Sequence, residues 1–417
     1  MGETSILIVG AGHAAGELAT SLRQGGFAGR ITMIGEEPYL PYQRPPLSKA
    51  FLAGEVEVAG LHLKPQATYD RAGIEVLAGV RAVWLDRVAK SVALDDGRTL
   101  SYDRLVLATG GRARRLAVPG AAEAEAAGVL HYLRTIDDVR RIQAGFLPGR
   151  RLAIVGGGYV GLEVAAVAAK RGVAVTVLES ALRVLARVTS PEMSAFYEEV
   201  HRDAGVRIRK GVTVTGVTLQ TEGGGLAVTC ADGVPEPADL TIVGIGLEPN
   251  VELARDAGLA VDDGIVVDEF TRTSDPDVFA IGDCTNHPNP LLGRRLRLES
   301  VPNAMEQARA AAAALCGKPK PYASIPWFWS EQYDLKLQMV GLSAGYDQCV
   351  LRGDPARRFF TAFYGLAGRL IAAHCVSRPQ EFMICRRLVE QGIAIDVARM
   401  ADEGVPLKNL LEATSVA

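Results

Sequence analysis

The run SILIVGAGHAAGELATSLRQGGFAGRITMIGEE, residues 5–37, decides the fold. Ile6–Val9 is short, apolar and rich in β-branched residues, as a buried strand requires. Gly10-Ala11-Gly12-His13-Ala14-Ala15 follows as G-x-G-x-x-A. Glu17–Arg23 has helical spacing with Leu18 and Leu22 on one face, and Gly25, Gly26 and Gly29 stop that helix. Ile31–Ile34 reads as a second buried strand. Strand, glycine turn, helix and strand within about 30 residues make a parallel crossover unit. A pyrophosphate at such a turn meets the free N–H groups and favourable dipole of a helix N-terminus. Only glycine allows so tight a turn and so close an approach. Gly10 and Gly12 are therefore expected at a dinucleotide, Ala15 is small enough for the helix to lie on the strand, and Glu36, 24 residues after Gly12, is placed to hold a ribose. His13 lacks metal partners in the pattern and reads as a surface or cap residue.

The same pattern returns as RLAIVGGGYVGLEVAAVAAKRGVAVTVLES, residues 151–180, about 146 residues further on. Gly156-Gly157-Gly158-Tyr159-Val160-Gly161 is a full G-x-G-x-x-G, and Glu179 lies 21 residues after Gly158. Glu179 can accept hydrogen bonds from adenosine ribose hydroxyls and would repel a 2′-phosphate. That predicts NADH rather than NADPH, although Arg183 and Arg187 follow closely and could hold a 2′-phosphate. The separation exceeds one mononucleotide-binding half, so two dinucleotide-binding domains are expected on one chain.

The rest of the chain fits an α/β protein: two Rossmann-like dinucleotide-binding domains plus a C-terminal α+β domain. Tyr102–Gly110, Leu240–Ile245 and Val278–Ile281 are further buried strands, leading into ATG, GIGLEPN and GDCTNHPNP. Ala304–Cys316 is an alanine-rich helix, and Pro319, Pro321 and Pro326 mark a boundary. Short β-like runs then precede a helix around Gln380–Gln391. The expected division is 1–112 and 247–325 for the first dinucleotide-binding domain, 113–246 for the second, and 326–417 for the C-terminal domain.

Composition removes other classes. The chain has 417 residues, 48% hydrophobic and 22% charged, with a net charge of −3, which speaks against disorder and against an overall basic nucleic-acid binder. The six cysteines form no C-x-x-C, so no zinc site, other metal site or CxxC redox pair is expected. The longest mostly apolar stretch, Leu152–Ala169, is broken by glycines and Glu163 and makes a poor membrane span. With Met1 running straight into a strand, the expectation is a cytoplasmic protein without a membrane partner.

Two dinucleotide sites on one chain imply two cofactors exchanging electrons. Here the sequence resembles the two-dinucleotide-binding-domain flavoproteins, over nearly its whole length. That resemblance implies FAD at the first site and NADH at the second. It places Ala108, Thr109 and Gly110 of ATG, Gly246 and Glu248 of GIGLEPN, and Gly282 and Asp283 of AIGDC at the cofactors, Asp283 on the ribityl chain and Glu248 near the nicotinamide. Arg134 would reach FAD phosphates, and Glu299, Val301 and Gln307 of ESVPNAMEQA would cover the flavin. The stretch Gly35–Leu52 has no cysteine, unlike disulfide reductases and NADH peroxidases. RPPLSK at Arg44–Lys49 and FWSEQYD at Phe328–Asp334 instead resemble the ferredoxin reductases that serve cytochrome P450s and ring-hydroxylating oxygenases of the Rieske type; Glu331 stands where that pattern has Asp.

The branch implies a division of labour. NADH gives two electrons as a hydride, a [2Fe–2S] ferredoxin accepts one at a time, and a flavin converts between them. Lys49 would pair with Glu163 and stabilise negative charge on reduced flavin, with Arg44 beside it in the same motif. Trp329, two residues from Trp327 on a strand, would lie over the flavin edge. Arg309, Lys336 and Lys408 are candidates for a local basic patch that docks the ferredoxin. The competing readings on this scaffold are an NADH oxidase or quinone-type reductase, and a redox interaction protein of the apoptosis-inducing-factor type.

Overall fold

A computed structural model describes residues 4–220 and 224–412. The chain divides into two compact units, each built from three segments. The first comprises Met1–Arg44, Val58–Arg112 and Leu247–Pro326; the second comprises Pro45–Glu57, Ala113–Gly246 and Trp327–Ala417.

The first unit is centred on a parallel five-stranded sheet in the order Val278–Ala280, Arg104–Leu107, Ser5–Val9, Arg30–Gly35, Ile74–Ala78. Its inner strands are almost wholly buried because both faces are covered, as parallel sheets require, whereas the edge strand Ile74–Ala78 is partly exposed. On one face the helices His13–Gln24 and Val301–Leu315 pack together. Alanines carry that contact: Ala15 and Ala19 are buried together with Ala304, Ala308 and Ala311. On the other face lies an apolar cluster of Leu7, Val9, Leu105 and Leu107 with Leu85, Val92 and Leu94. The last three come from a small antiparallel sheet, Ala82–Asp86, Ser91–Leu94 and Thr99–Ser101.

In the second unit a parallel sheet runs Arg207–Lys210, Ala174–Glu179, Arg151–Val155, Leu240–Val243, Leu130–Tyr132. The helix Tyr159–Lys170 crosses it and also packs against the strand Trp327–Gln332. That strand opens an antiparallel sheet ordered Trp327–Gln332, Leu335–Gly341, Arg369–Val376, Phe359–Leu366, Gln348–Asp354. The helix Pro379–Glu390 buries Phe382, Cys385, Leu388 and Val389 against it.

The two glycine turns are built alike. Gly10 N donates to Ile34 O and Gly156 N to Leu178 O, each at 2.8 Å. Both glycines have positive φ, 115° and 106°. A Cβ on Gly10 would fall 2.1 Å from Ala108 O, and one on Gly156 2.4 Å from Gly244 O. The neighbouring strand thus runs too close for any side chain.

Candidate functional site

In the first unit the turn delivers the backbone N–H groups at the start of the helix His13–Gln24. Gly12 is its N-cap, with φ −89°, and Ala15 is fully buried beneath it. A Cβ on Gly12 would meet nothing within 4 Å, so the turn faces open space that a methyl group would fill. Ala108-Thr109-Gly110 leaves the adjacent strand here. Thr109 Oγ1 donates to Asn250 O at 2.6 Å, and Asn250 Nδ2 donates back to Thr109 O at 2.9 Å. Gly282-Asp283-Cys284 forms a 3-10 turn. Gly282 N donates to Gln307 Oε1 at 2.7 Å, while the buried Gln307 Nε2 makes no hydrogen bond. His13 Nδ1 is likewise buried without a partner, so His13 is not the surface or cap residue expected; Gly12 caps the helix. The charge of Asp283 acts on both His13 and Arg44. Open space at Gly12, two unpartnered buried nitrogens and a facing carboxylate fit a flavin dinucleotide.

The acidic residues around this turn divide the work. Glu36 is exposed just past the strand Arg30–Gly35. Glu37 instead binds Arg44, at 2.7 Å, and the Tyr42 hydroxyl, at 2.6 Å. Glu248 lies 3.4 Å from Arg112. Glu299 is exposed and pairs with Arg297, and Val301 opens the helix that carries Gln307.

In the second unit Gly158 is the N-cap of the helix Tyr159–Lys170, and again a Cβ there would meet nothing. Gly161 lets that helix pass 2.3 Å, measured from a built Cβ, from Gly156 O. Glu179 closes the turn: its Oε2 accepts from Gly157 N at 2.6 Å and its Oε1 from Ala181 N at 2.7 Å. Arg183 is spent on Thr189 O and Ser194 Oγ, both at 2.7 Å, and on Ala186 O, while Arg187 is exposed. Val160 is exposed at the helix start. The Tyr159 hydroxyl donates to Met339 Sδ at 2.9 Å and its ring lies 4.9 Å from Phe328, so at that position the backbone N–H is what a phosphate can use. Gly246 has φ 115°, and Arg134 lies just before the helix Ile136–Gln143. These features fit a second dinucleotide, with the Glu179 carboxylate held against the glycine turn.

Lys49 and Glu163 meet in this unit. Lys49 Nζ is 2.8 Å from Glu163 Oε2, and Glu163 is 4% exposed on an apolar helix. Such a carboxylate needs several donors. Ser48 Oγ donates to Oε2 at 2.5 Å, and Ser330 Oγ to Oε1 at 2.6 Å. Neither serine was singled out in the sequence, although each stands inside a quoted motif, RPPLSK and FWSEQ. The two motifs converge on one carboxylate. The rings of Trp327 and Trp329 lie 5.7 Å apart on one face of the strand.

The basic candidates are exposed. Arg309 pairs with Glu17 at 2.7 Å, Lys336 with Glu331 at 3.6 Å, and Lys408 opens the helix Lys408–Glu412. Among the described residues no three His, Cys, Asp or Glu side chains are grouped to hold a metal, and no helix is long and apolar enough to cross a membrane.

Residues 4–308 match the family model described as pyridine nucleotide-disulphide oxidoreductase, and residues 327–411 match one described as reductase C-terminal. This chain belongs to the pyridine nucleotide-disulphide oxidoreductase family. Within it, the reductase is of the putidaredoxin reductase-like branch. It is 46% identical to putidaredoxin reductase of Pseudomonas putida, over 98% of this chain and 97% of that one. It is 43% identical to the ferredoxin–NAD(+) reductase component of the anthranilate 1,2-dioxygenase system of Burkholderia cepacia, over 99% and 100%. It superposes on the reductase of a covalent putidaredoxin reductase–putidaredoxin complex with a TM-score of 0.96, at 45% identity and full coverage of both chains. The reductase uses FAD and NADH.

Proposed function

We propose that this reductase takes a hydride from NADH and passes electrons singly to a [2Fe–2S] ferredoxin that feeds a cytochrome P450 or a ring-hydroxylating oxygenase, in the cytoplasm. The observation that carries this is the convergence of RPPLSK and FWSEQ on Glu163, because it ties both branch motifs to one buried ion pair.

Bound FAD supplies a carrier that accepts two electrons together and releases them one at a time. The chain's own residues do the rest. The N–H groups beyond Gly12 hold a pyrophosphate, with Asp283, Gly282 and Gln307 along the remainder of the cofactor. The N–H groups beyond Gly158 hold the second dinucleotide, and Glu179 selects for an unphosphorylated ribose. Lys49 supplies positive charge where negative charge develops, and Glu163 keeps that ammonium in place. Hydride transfer needs no general acid or base, so these residues act by position and field. Arg309, Lys336 and Lys408 contribute to ferredoxin docking. In this reading 1–112 and 247–325 bind FAD, 113–246 bind NADH, and 326–417 complete the electron-transfer side.

The test is NADH-driven cytochrome c reduction with the purified yellow holoenzyme. Rapid reduction only when a [2Fe–2S] ferredoxin is added supports the reading. Equal turnover without ferredoxin, with oxygen or a quinone as the acceptor, overturns it.

A further inference from the structure

Glu163 is the end of a longer buried chain of hydrogen bonds. Ser330 Oγ, which donates to Glu163, accepts from Gln332 Nε2 at 3.3 Å. Gln332 Oε1 lies 2.8 Å from His201 Nε2, and His201 Nδ1 lies 3.0 Å from the Tyr333 hydroxyl. Ser330, Gln332 and His201 are each at most 1% exposed. His201 comes from the helix Pro191–Asp203, whereas the other three come from the FWSEQYD segment.

Donor and acceptor chemistry gives this chain one direction. Ser330 spends its proton on the carboxylate and can only accept from Gln332. Gln332 then presents its amide oxygen to His201, so His201 must carry its proton on Nε2 and accept at Nδ1 from Tyr333. Burial lowers the His201 pKa, which keeps the ring in the neutral form that this order requires. Tyr333 opens the two-residue turn between the strands Trp327–Gln332 and Leu335–Gly341, where its φ of 57° is the left-handed value such a hairpin turn requires. Lys170 Nζ steadies that turn by donating to Tyr333 O at 3.0 Å, and the Tyr333 ring lies edge-on to His201 at 5.1 Å.

We propose that His201 is a positioning residue for the Lys49–Glu163 pair, acting through Gln332 and Ser330. With His201 in place the Gln332 amide cannot turn over, Ser330 has one orientation, and Glu163 Oε2 stays directed at Lys49. The proposal rests on the reading that Lys49 assists flavin reduction. His201 touches neither cofactor in this account.

The test is stopped-flow flavin reduction in the holoenzyme at saturating NADH. His201→Leu should lower the limiting rate about three- to ten-fold, the effect of loosening rather than removing one hydrogen bond. FAD content and NADH affinity should stay as in the parent. His201→Gln, which restores a donor at the Nε2 position, should recover most of the rate. An unchanged limiting rate in His201→Leu overturns the proposal, and so does a slow His201→Gln. Should His201→Leu fail to fold, Ser330→Ala carries the same expectation and the same refutation. Lys49→Met separates the two claims. If it slows reduction while His201→Leu and Ser330→Ala do not, only the network role falls. If it too leaves the rate unchanged, the reading of the pair falls with it.

Discussion

Ala11 occupies, in the first glycine turn, the space that a side chain at position 35 would need: a Cβ built on Gly35 falls 2.5 Å from the Ala11 Cβ. The second turn reverses the pair. Gly157 stands in place of Ala11 and Glu179 in place of Gly35, and the room left by the missing methyl group is filled by the carboxylate that binds Gly157 N. One exchange between a turn residue and a strand-end residue therefore sets where the acid beside the turn sits, on the strand itself at Glu179 or one residue beyond it at Glu36.

On the proposed function, Glu179 discriminates between NADH and NADPH. Like-charge contact with a 2′-phosphate should cost about 1.4 kcal/mol or more, a factor of about ten in kcat/KM. Glu179→Ala should narrow the gap and weaken NADH somewhat, since Gly157 N also loses its acceptor. Comparable kcat/KM for the two nucleotides in the parent enzyme would refute the assignment.

Two glycines two residues apart should fail in different ways. Gly10→Ala places a methyl group against Ala108 O at positive φ and should cost more than about 3 kcal/mol of stability. Gly12→Ala has an allowed φ and open space, so the apoprotein should keep its melting temperature while FAD affinity drops. Melting curves of the apo forms, with FAD titrations, separate the two; equal loss of stability would show that Gly12 is structural.

Removing one member of the buried ion pair should be worse than weakening it. Glu163→Gln leaves the Lys49 ammonium facing an amide and should slow flavin reduction while leaving some stability. Glu163→Leu leaves Ser330 Oγ without its acceptor and the Lys49 ammonium with only Pro45 O, at 3.2 Å, and should cost about 3–5 kcal/mol. Chemical denaturation of the two variants checks the order.

Two of the docking candidates, Arg309 and Lys336, sit in exposed pairs that are easily given up. Lys336 and Glu331 face each other across two strands at 3.6 Å, both about half exposed, and such a pair is worth about 1 kcal/mol at most. Glu331→Gln should therefore free Lys336 and lower the KM for an acidic ferredoxin at low salt. Arg309→Glu should raise it. NADH–ferricyanide turnover should be unchanged in both, and a KM indifferent to salt would dismiss the basic patch.

Two buried histidines predict acid sensitivity. Burial lowers His374 to about 3, and burial together with Arg295 lowers His287 to about 4. Both folded values lie below the unfolded value near 6.5, so the unfolded chain binds more protons as pH falls. Stability is full above about 6.5 and declines below it, by about 2 kcal/mol per histidine at pH 5. Melting temperature should fall between pH 7 and pH 5, and His374→Asn should flatten the slope; a slope unchanged in that variant would contradict the role of His374.

What the sequence made legible was whatever a short contiguous pattern can carry. Both β-α-β units, their glycine turns and the strands before ATG and GIGLEPN are local, and the structure has them at those residues. The strands Ile74–Ala78 and Ala82–Asp86 carry no legible signal, because their exposed and buried positions do not alternate, and Ser91–Leu94 alternates over only four residues, too few to mark a strand. Lys49 and Glu163 were brought together only by resemblance. Ser48 and Ser330 carry no sequence signal, because a serine has no distinguishing period or charge and its value here lies in a partner 115 or 167 residues away. The membership of Pro45–Glu57 in the second unit was equally hidden, since nothing in its composition marks a crossing.

That crossing has an engineering consequence. Each unit is stitched from three separated stretches, so neither can be released by one proteolytic cut or expressed as a single fragment. A chimaera that swaps in a relative's region beyond Trp327 imports new residues at 330 and 332 while keeping the host's 48, 163 and 201. Such a graft succeeds only when donor and host agree on the wiring of one carboxylate. Compatibility between parents can thus be screened at five positions before any gene is joined.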